Sequence, residues 1–299
     1  MEILITGGSG LIGKRLTVLL QKQGHQVSWL VRKPGMASVP AYRWSISDNY
    51  VDPAALRNAD VLIHLAGENV GEGRWTASRK KQILESRIST TKLLVHALAS
   101  QPNRIKTVIC ASAIGYYGDG TPEQKFDESS NCGSGFLAHV TEQWEEATKD
   151  IQQLNIRLVV LRIGVVLSKD GGAVQKLVQP IKWFAGAPIG SGRQIMSWIH
   201  IDDLCRLFIK ASTDETMNGV YNAVAPNPVD NATMTRQMAK ILNRPLLLPP
   251  VPAFALRFVL GEMSEMVLGG AWVSSEKVER AGFEFSYPEI SIALQDVLR

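Results

Sequence analysis

The segment Thr6-Gly7-Gly8-Ser9-Gly10-Leu11-Ile12-Gly13 follows directly on the apolar run Ile3-Leu4-Ile5 and precedes an amphipathic stretch that Gly24 closes. A TGxxGxxG loop between a strand and a helix leaves few folds open, because each glycine answers a separate steric demand. Gly7 allows the tight turn, Gly10 lets the backbone approach a pyrophosphate, and Gly13 permits close helix–strand packing. The free N–H groups of Leu11 and Ile12, at the positive end of the helix dipole, then suit bound phosphates. A glycine-rich turn with no ligand is the plain alternative, and the strand before it and the helix after it weigh against that alternative.

The pattern continues as βαβ units, short apolar runs alternating with amphipathic ones. Strands are expected at Glu2–Thr6, Val27–Val31, Val61–Ala66, Thr107–Ala111 and Arg157–Val166. Helices are expected at Leu11–Gln23, Ala77–Ser100, Phe136–Asp150 (with Ser134 as cap) and Ile201–Ser212. After Leu167 the chain becomes rich in loops, with Gly171, Gly172, Gly186, Pro188, Gly190 and Gly192. The expected architecture is α/β: a Rossmann-type doubly wound parallel sheet over residues 1–167, and a smaller C-terminal substrate lobe over residues 168–299. No flexible linker separates the two, so the lobes are expected to interleave.

Composition narrows the partners. The chain has 299 residues, a net charge of +4 and no run of five Lys/Arg, which argues against nucleic acid. The apolar stretch Leu246–Leu256 carries Pro249, Pro250 and Pro252 and falls short of the roughly 20 residues of a membrane span, so it reads as a buried segment. The N-terminus has no basic leader and no long apolar core, so no signal peptide is expected. Three cysteines at Cys110, Cys132 and Cys205 match no metal spacing and read as reduced thiols of a soluble, cytoplasmic protein. The expected partner is a small-molecule substrate, and a homodimer is left open.

Arg32-Lys33 follows the second strand, 19 residues beyond Gly13. An acidic residue at this distance would accept the ribose hydroxyls of NAD. Two cations suit a 2′-phosphate instead, Arg by forking onto it, so NADP is the cofactor expected. A basic surface turn is the alternative.

With TGGSGLIG, the chain shows His64-Leu65-Ala66-Gly67 after a strand, Ser112-Ala113-Ile114-Gly115-Tyr116-Tyr117-Gly118, and Trp198-Ile199-His200-Ile201-Asp202-Asp203-Leu204. By these motifs it resembles an extended, atypical short-chain dehydrogenase/reductase of the NAD(P)-dependent epimerase/dehydratase class. More narrowly, Ala66-Gly67-Glu68-Asn69, Arg162–Leu167 and Ala281–Pro288 make it similar to bacterial epimerase family proteins of the YfcH type.

The resemblance implies that Leu65, Ala66 and Gly67 line the adenosine–ribose side of the cofactor and that Val166 lies near the nicotinamide. It implies that Ser112 hydrogen-bonds a substrate carbonyl or hydroxyl. Arg87 stands where related enzymes carry an Asn facing the cofactor; a solvated helix face is the equal alternative. Relatives also place a Tyr-x-x-x-Lys pair in the next helix, and the corresponding window here is Phe136 to Val140. Phe transfers no proton, and Val lowers no neighbouring phenol's pKa.

Ser112, Tyr116 and Tyr117 remain as candidate catalytic hydroxyls, although the two tyrosines equally suit a pocket wall. A phenol without a lysine keeps a pKa of about 10 and serves better as acid than as base, which favours carbonyl reduction. His200 and Asp203 read as a cap and packing motif, Asp127-Glu128 as a solvated loop, and Trp183 and Trp198 as core or pocket wall. The function expected is an NADP(H)-binding oxidoreductase or epimerase-like protein without the usual Tyr/Lys pair; the alternative is a non-catalytic NADP(H)-binding or redox-sensing protein.

Overall fold

The computed structural model describes residues 1–299, the side chain of Met36 excepted. The first half runs β1 (Glu2–Thr6), α1 (Leu11–Lys22), β2 (Gln26–Val31), β3 (Ala41–Ser45), β4 (Tyr50–Val51), α2 (Pro53–Asn58), β5 (Val61–His64), α3 (Ala77–Ser100) and β6 (Thr107–Ala113). There follow β7 (Lys125–Phe126), α4 (Phe136–Thr148), β8 (Arg157–Ile163), β9 (Val165–Leu167), α5 (Ala173–Lys182), β10 (Ile195–Met196), β11 (Trp198–His200), α6 (Ile201–Thr213) and β12 (Gly219–Ala223). The chain closes with β13 (Val229–Asp230), α7 (Asn231–Ile241), α8 (Ala253–Leu260), α9 (Glu265–Leu268), β14 (Trp272–Val273), α10 (Glu276–Arg280) and α11 (Ile290–Leu298).

Eight strands form the main sheet in the order β12-β8-β6-β5-β1-β2-β3-β4, all parallel except β4 against β3. Strands buried on both faces must be apolar throughout, and their side chains divide by period two. Ile3, Ile5, Ile63, Ile109 and Leu161 face one core, with Leu16 and Leu20 of α1 and Leu204 and Phe208 of α6. Leu4, Leu62, Val108 and Val160 face the other, with Leu56 of α2 and Leu93, Leu94 and Leu98 of α3. The chain starts at β1, winds outward through β2 and β3, then returns to β5 on β1's other side. That reversal opens a crevice at the carboxyl ends of β1 and β5, where ligands of such sheets bind.

The second lobe gathers α5, α7 and α11 around Val178, Trp198, Met238 and Leu294. Residue 167 does not cleanly divide the lobes: α6 packs on α1 and β12 pairs with β8, so the chain re-enters the main sheet. The long strand expected to Val166 breaks at Gly164, where a Cβ would fall 2.6 Å from Ser197 O. β9 then pairs with β11 instead.

Three other expectations are corrected. Gly135, with φ of 100°, caps α4 rather than Ser134, and no side chain bonds the helix's first amides. Leu246–Leu256 is not buried: Leu247 and Phe254 are 69% and 74% exposed. The three prolines cannot donate to a sheet ladder, and the short helix α8 that follows presents no buried residue. Trp183 is 79% exposed, whereas Trp198 is core. Among the described residues no helix is long and apolar enough to cross a membrane.

Candidate functional site

The turns after β1 and β5 touch. Gly7 has φ of +70°, and a Cβ there would lie 2.9 Å from the carbonyl carbon of Leu65. Thr6 Oγ1 accepts the N–H groups of Leu65 (3.1 Å) and Ala66 (3.2 Å), which uses both of its lone pairs. Its own hydrogen therefore goes to His64 Nδ1 at 2.7 Å. Thr91 donates to the backbone carbonyl of Arg87, so His64 Nε2 carries the proton and donates to Thr91 Oγ1 at 3.1 Å. Burial of the imidazole, aided by the charge of Arg87, pushes its pKa down to about 3. A neutral histidine thus fixes the Leu65–Gly67 backbone against the glycine loop.

Gly10 is the N-cap of α1 with φ of −76° and ψ of 176°, a conformation open to any residue. Its hypothetical Cβ meets just one atom, Gly7 O at 3.2 Å. Nothing in the protein forbids a side chain of ordinary size there, and the position is exposed. No side chain caps the helix, so the Leu11 and Ile12 amides stay available. Gly13 differs: a Cβ would overlap Gly7 O and lie 2.6 Å from Gly8 Cα. This open cradle above an uncapped helix fits a dinucleotide's pyrophosphate. Leu11 also touches the β9–α5 loop, since a Cβ at Gly172 would come within 3.2 Å of it and 3.9 Å of Val166 O. Val166 therefore lies beside the cradle.

Arg32 and Lys33 are exposed just beyond β2. Neither joins an ion pair among the described residues, so both are free to meet an anion. Arg87 is half-buried and crosses Gly67, where a Cβ would stand 3.2 Å from Cζ. The solvated-face alternative for Arg87 does not hold.

At the ends of β6 and β8 lies a closed network. Ser112 pairs with Arg162 in register, and its hydroxyl donates to Glu145 Oε1 at 2.6 Å. Arg162 forks onto the same carboxylate, Nε to Oε1 and Nη2 to Oε2, both at 2.8 Å. Burial works against the charged guanidinium, but the hydrogen bonds and charge of Glu145 outweigh it and raise the Arg162 pKa. Arg162 Nη1 donates to Tyr117 Oη, which donates to Asn222 Oδ1 at 2.7 Å. Burial pushes the Tyr117 phenol up to about 12. Tyr117, 1% exposed and with its hydrogen committed, is a strut of the fold. Tyr116 lies with its ring centroid 3.4 Å from Arg162 Cζ, and its hydroxyl has no partner among the described residues.

Phe136 and Val140 sit in an apolar cluster with Trp75 and Ile83, and Trp75 meets Phe136 edge-on at 4.9 Å. His200 caps α6 by accepting from the Asp202 N–H, and Asp203 accepts the N–H groups of Ser286 and Tyr287. Glu128, read as solvated, accepts the Asn222 N–H at 2.7 Å. Glu145, and the bonding role of His64, escaped sequence reading because their partners lie 17 to 58 residues away. One signal was available: Arg162 inside the apolar run Leu158–Leu167 needs a buried counter-charge.

A family model described as the NAD dependent epimerase/dehydratase family matches residues 3–223, and a domain of unknown function, DUF1731, matches residues 251–297. The epimerase family protein YfhF of Bacillus subtilis is 36% identical over 301 residues, covering 100% of this chain and 98% of that protein. The crystal structure of human epimerase family protein SDR39U1 (isoform 2) with NADPH superposes with a TM-score of 0.89 at 33% identity, covering 99% of each chain. UDP-glucose 4-epimerase of Thermotoga maritima, at 17% identity and a TM-score of 0.79 over 100% of this chain and 98% of its own, shares the fold.

Proposed function

Because this chain belongs to the NAD-dependent epimerase/dehydratase family, we propose that it binds NADP(H) in the crevice between β1 and β5 and acts on a small carbonyl or hydroxyl compound in a reducing, cytoplasmic setting. The observation that carries this reading is the Gly10 cradle, open where the protein's own packing demands no opening. Gly7, Gly10 and Gly13 with the Leu11 and Ile12 amides hold the diphosphate. Leu65, Ala66 and Gly67 line the adenosine side, Val166 the nicotinamide side, and Arg32 and Lys33 meet the 2′-phosphate. The human relative crystallised with NADPH supports the phosphorylated cofactor.

Calorimetric titration of the parent is expected to show tighter binding of NADPH than of NADH. Arg32→Asp sets a negative charge beside the 2′-phosphate and should weaken NADPH selectively, leaving NADH little changed. Equal affinities of the parent for the two cofactors would overturn the assignment of NADP.

The cofactor supplies or takes up hydride; the chain's residues must orient the substrate and hold a proton at its oxygen. Tyr116 carries the free hydroxyl and is the proton donor in this reading. Ser112, whose hydrogen is committed to Glu145, accepts a hydrogen bond from a substrate hydroxyl. General acid help is worth about 10²–10⁴-fold, so Tyr116→Phe should cut kcat on a carbonyl panel with NADPH by a factor in that range. Ser112→Ala should instead act mainly on KM, and Tyr117→Phe on thermal stability. Robust turnover indifferent to Tyr116→Phe and Ser112→Ala would defeat these roles.

The hydrocarbon plug at Phe136 and Val140 favours a second reading, a non-catalytic NADP(H)-binding or redox-sensing protein. Tight NADPH binding with no turnover across the panel is its signature.

A further inference from the structure

Two stretches of the second lobe carry cations and no anions. Between Asp170 and Asp202 the charged residues are Lys176, Lys182 and Arg193; between Asp230 and Glu262 they are Arg236, Lys240, Arg244 and Arg257. All seven are exposed, and among the described residues none of them forms an ion pair. Together they exceed the net charge of +4 on the whole chain, so the rest of the molecule is net negative. Of the carboxylates that bound the two stretches, Asp202 pairs with Arg15, Glu262 pairs with Lys80 and Asp230 caps α7.

The same stretches expose large apolar side chains. Trp183 and Phe184 follow α5, Leu247 and Leu248 follow α7, and Phe254 and Phe258, the latter 84% exposed, lie one turn apart on α8. Arg257 stands on the same side of that helix, whereas Leu256 on the opposite side is half-buried. Contacts join these pieces into one face. Arg244 Cζ lies 4.8 Å from the Phe184 ring centroid. The Val251 N–H donates to Pro188 O at 2.8 Å, which sets the chain leading into α8 beside the loop after α5. Arg74 donates to the carbonyls of Phe258 and Val259, and Lys176 to that of Gly71, so the face borders the β5–α3 loop.

Proteins rarely gather large apolar side chains on one exposed face unless something covers it. We propose that this face docks on an anionic lipid surface. Trp183, Phe184, Leu247, Phe254 and Phe258 enter the boundary between headgroups and acyl chains, and the unpaired cations around them meet lipid phosphates. Aromatic and aliphatic groups flanked by Lys and Arg are the composition of surfaces that lie on a bilayer without crossing it. A second copy is a poorer occupant, because an isologous contact sets one cationic rim against another. Single-stranded nucleic acid could stack on the rings but gains nothing from Leu247 and Leu248. The proposal does not depend on the dinucleotide reading.

The probes are vesicles of phosphatidylcholine alone and of an equimolar mixture with phosphatidylglycerol, co-sedimented with the full chain. The parent should bind the mixed vesicles about tenfold or more tighter than the neutral ones, and added salt should release it. Arg244→Gln/Arg257→Gln removes two cations, each worth about fivefold near such a surface, and should weaken binding about 25-fold. Phe254→Ser/Phe258→Ser should weaken it by about tenfold or more. Both pairs replace exposed side chains, and thermal melts that match the parent's exclude a loss of fold as the cause. Should one pair fail to fold, the other decides.

A parent that binds mixed vesicles no better than neutral ones would overturn the proposal, as would folded variants that both bind as the parent does. Two further results would give the face to another occupant and overturn it as well. One is a parent dimer in sedimentation equilibrium that Phe254→Ser/Phe258→Ser dissociates, without vesicle binding. The other is binding of an oligothymidylate that both variants lose, again without vesicle binding.

Discussion

Gly10→Val is expected to keep the parent's stability and yet show no NADPH binding at concentrations that saturate the parent, whereas Gly13→Val is expected to destabilise the fold itself. The two glycines stand three residues apart in one loop but answer to different neighbours. At Gly10 the backbone is extended, and a Cβ would press on Gly7 O alone, at 3.2 Å. A shift of a few tenths of an ångström relieves that contact, and valine in place of glycine at an N-cap costs about 1 kcal/mol or less. The two γ-methyl groups, however, stand in the space a pyrophosphate needs above the Leu11 and Ile12 amides.

At Gly13 the obstruction is protein backbone: Gly7 O, Gly8 Cα and Gly8 O. No rotamer avoids it, so α1 must move off β1, with an overpacking cost of about 1–3 kcal/mol or more. Thermal melts and calorimetric titrations separate the two effects. A folded Gly10→Val protein with undiminished NADPH affinity would remove the cofactor from this cradle.

The loop was readable because its demands are local: a tight turn, a close approach and a helix start fall within eight residues. Gly8 shows where such reading stops. A Cβ there would overlap the indole of Trp29, which is held in place by a 3.0 Å hydrogen bond from its Nε1 to Thr17 Oγ1. Nothing in the motif announces a tryptophan across the turn. The Ser112–Glu145–Arg162 fork escapes for the same reason, since it joins β6, α4 and β8, whose approach is set by the sheet rather than by spacing. The same limit applies to apolarity. Leu247 and Phe254 read as part of a buried segment but lie exposed, because hydrophobic composition does not by itself name the surface that would cover it.

Lowering the pH from 7.5 to 5.0 is expected to destabilise the parent by about 2 kcal/mol more than it destabilises His64→Asn. The imidazole is fully buried, and that burial holds its pKa near 3 in the folded chain, against about 6.5 when unfolded. Between those values the unfolded state binds a proton that the folded state refuses. Stability is therefore complete above pH of about 6.5 and falls as pH drops toward 3, at about 1.4 kcal/mol per unit. The hydrogen-bond order gives the same sign: a proton on Nδ1 would point at Thr6 Oγ1, already filled by the Leu65 and Ala66 N–H groups. Asparagine can accept from Thr6 and donate to Thr91 without titrating. His25 and His200 also have lowered pKa values, both mainly through burial, but they are present in both proteins and cancel in the difference. Carboxylates held low, such as Asp202 and Asp214, keep their full contribution at pH 5.0 and are lost only below it. Urea melts of both proteins at the two pH values measure the difference directly. Parallel losses in the parent and His64→Asn would show that this imidazole is not held neutral, and the ordering of the Leu65–Gly67 edge would need another cause.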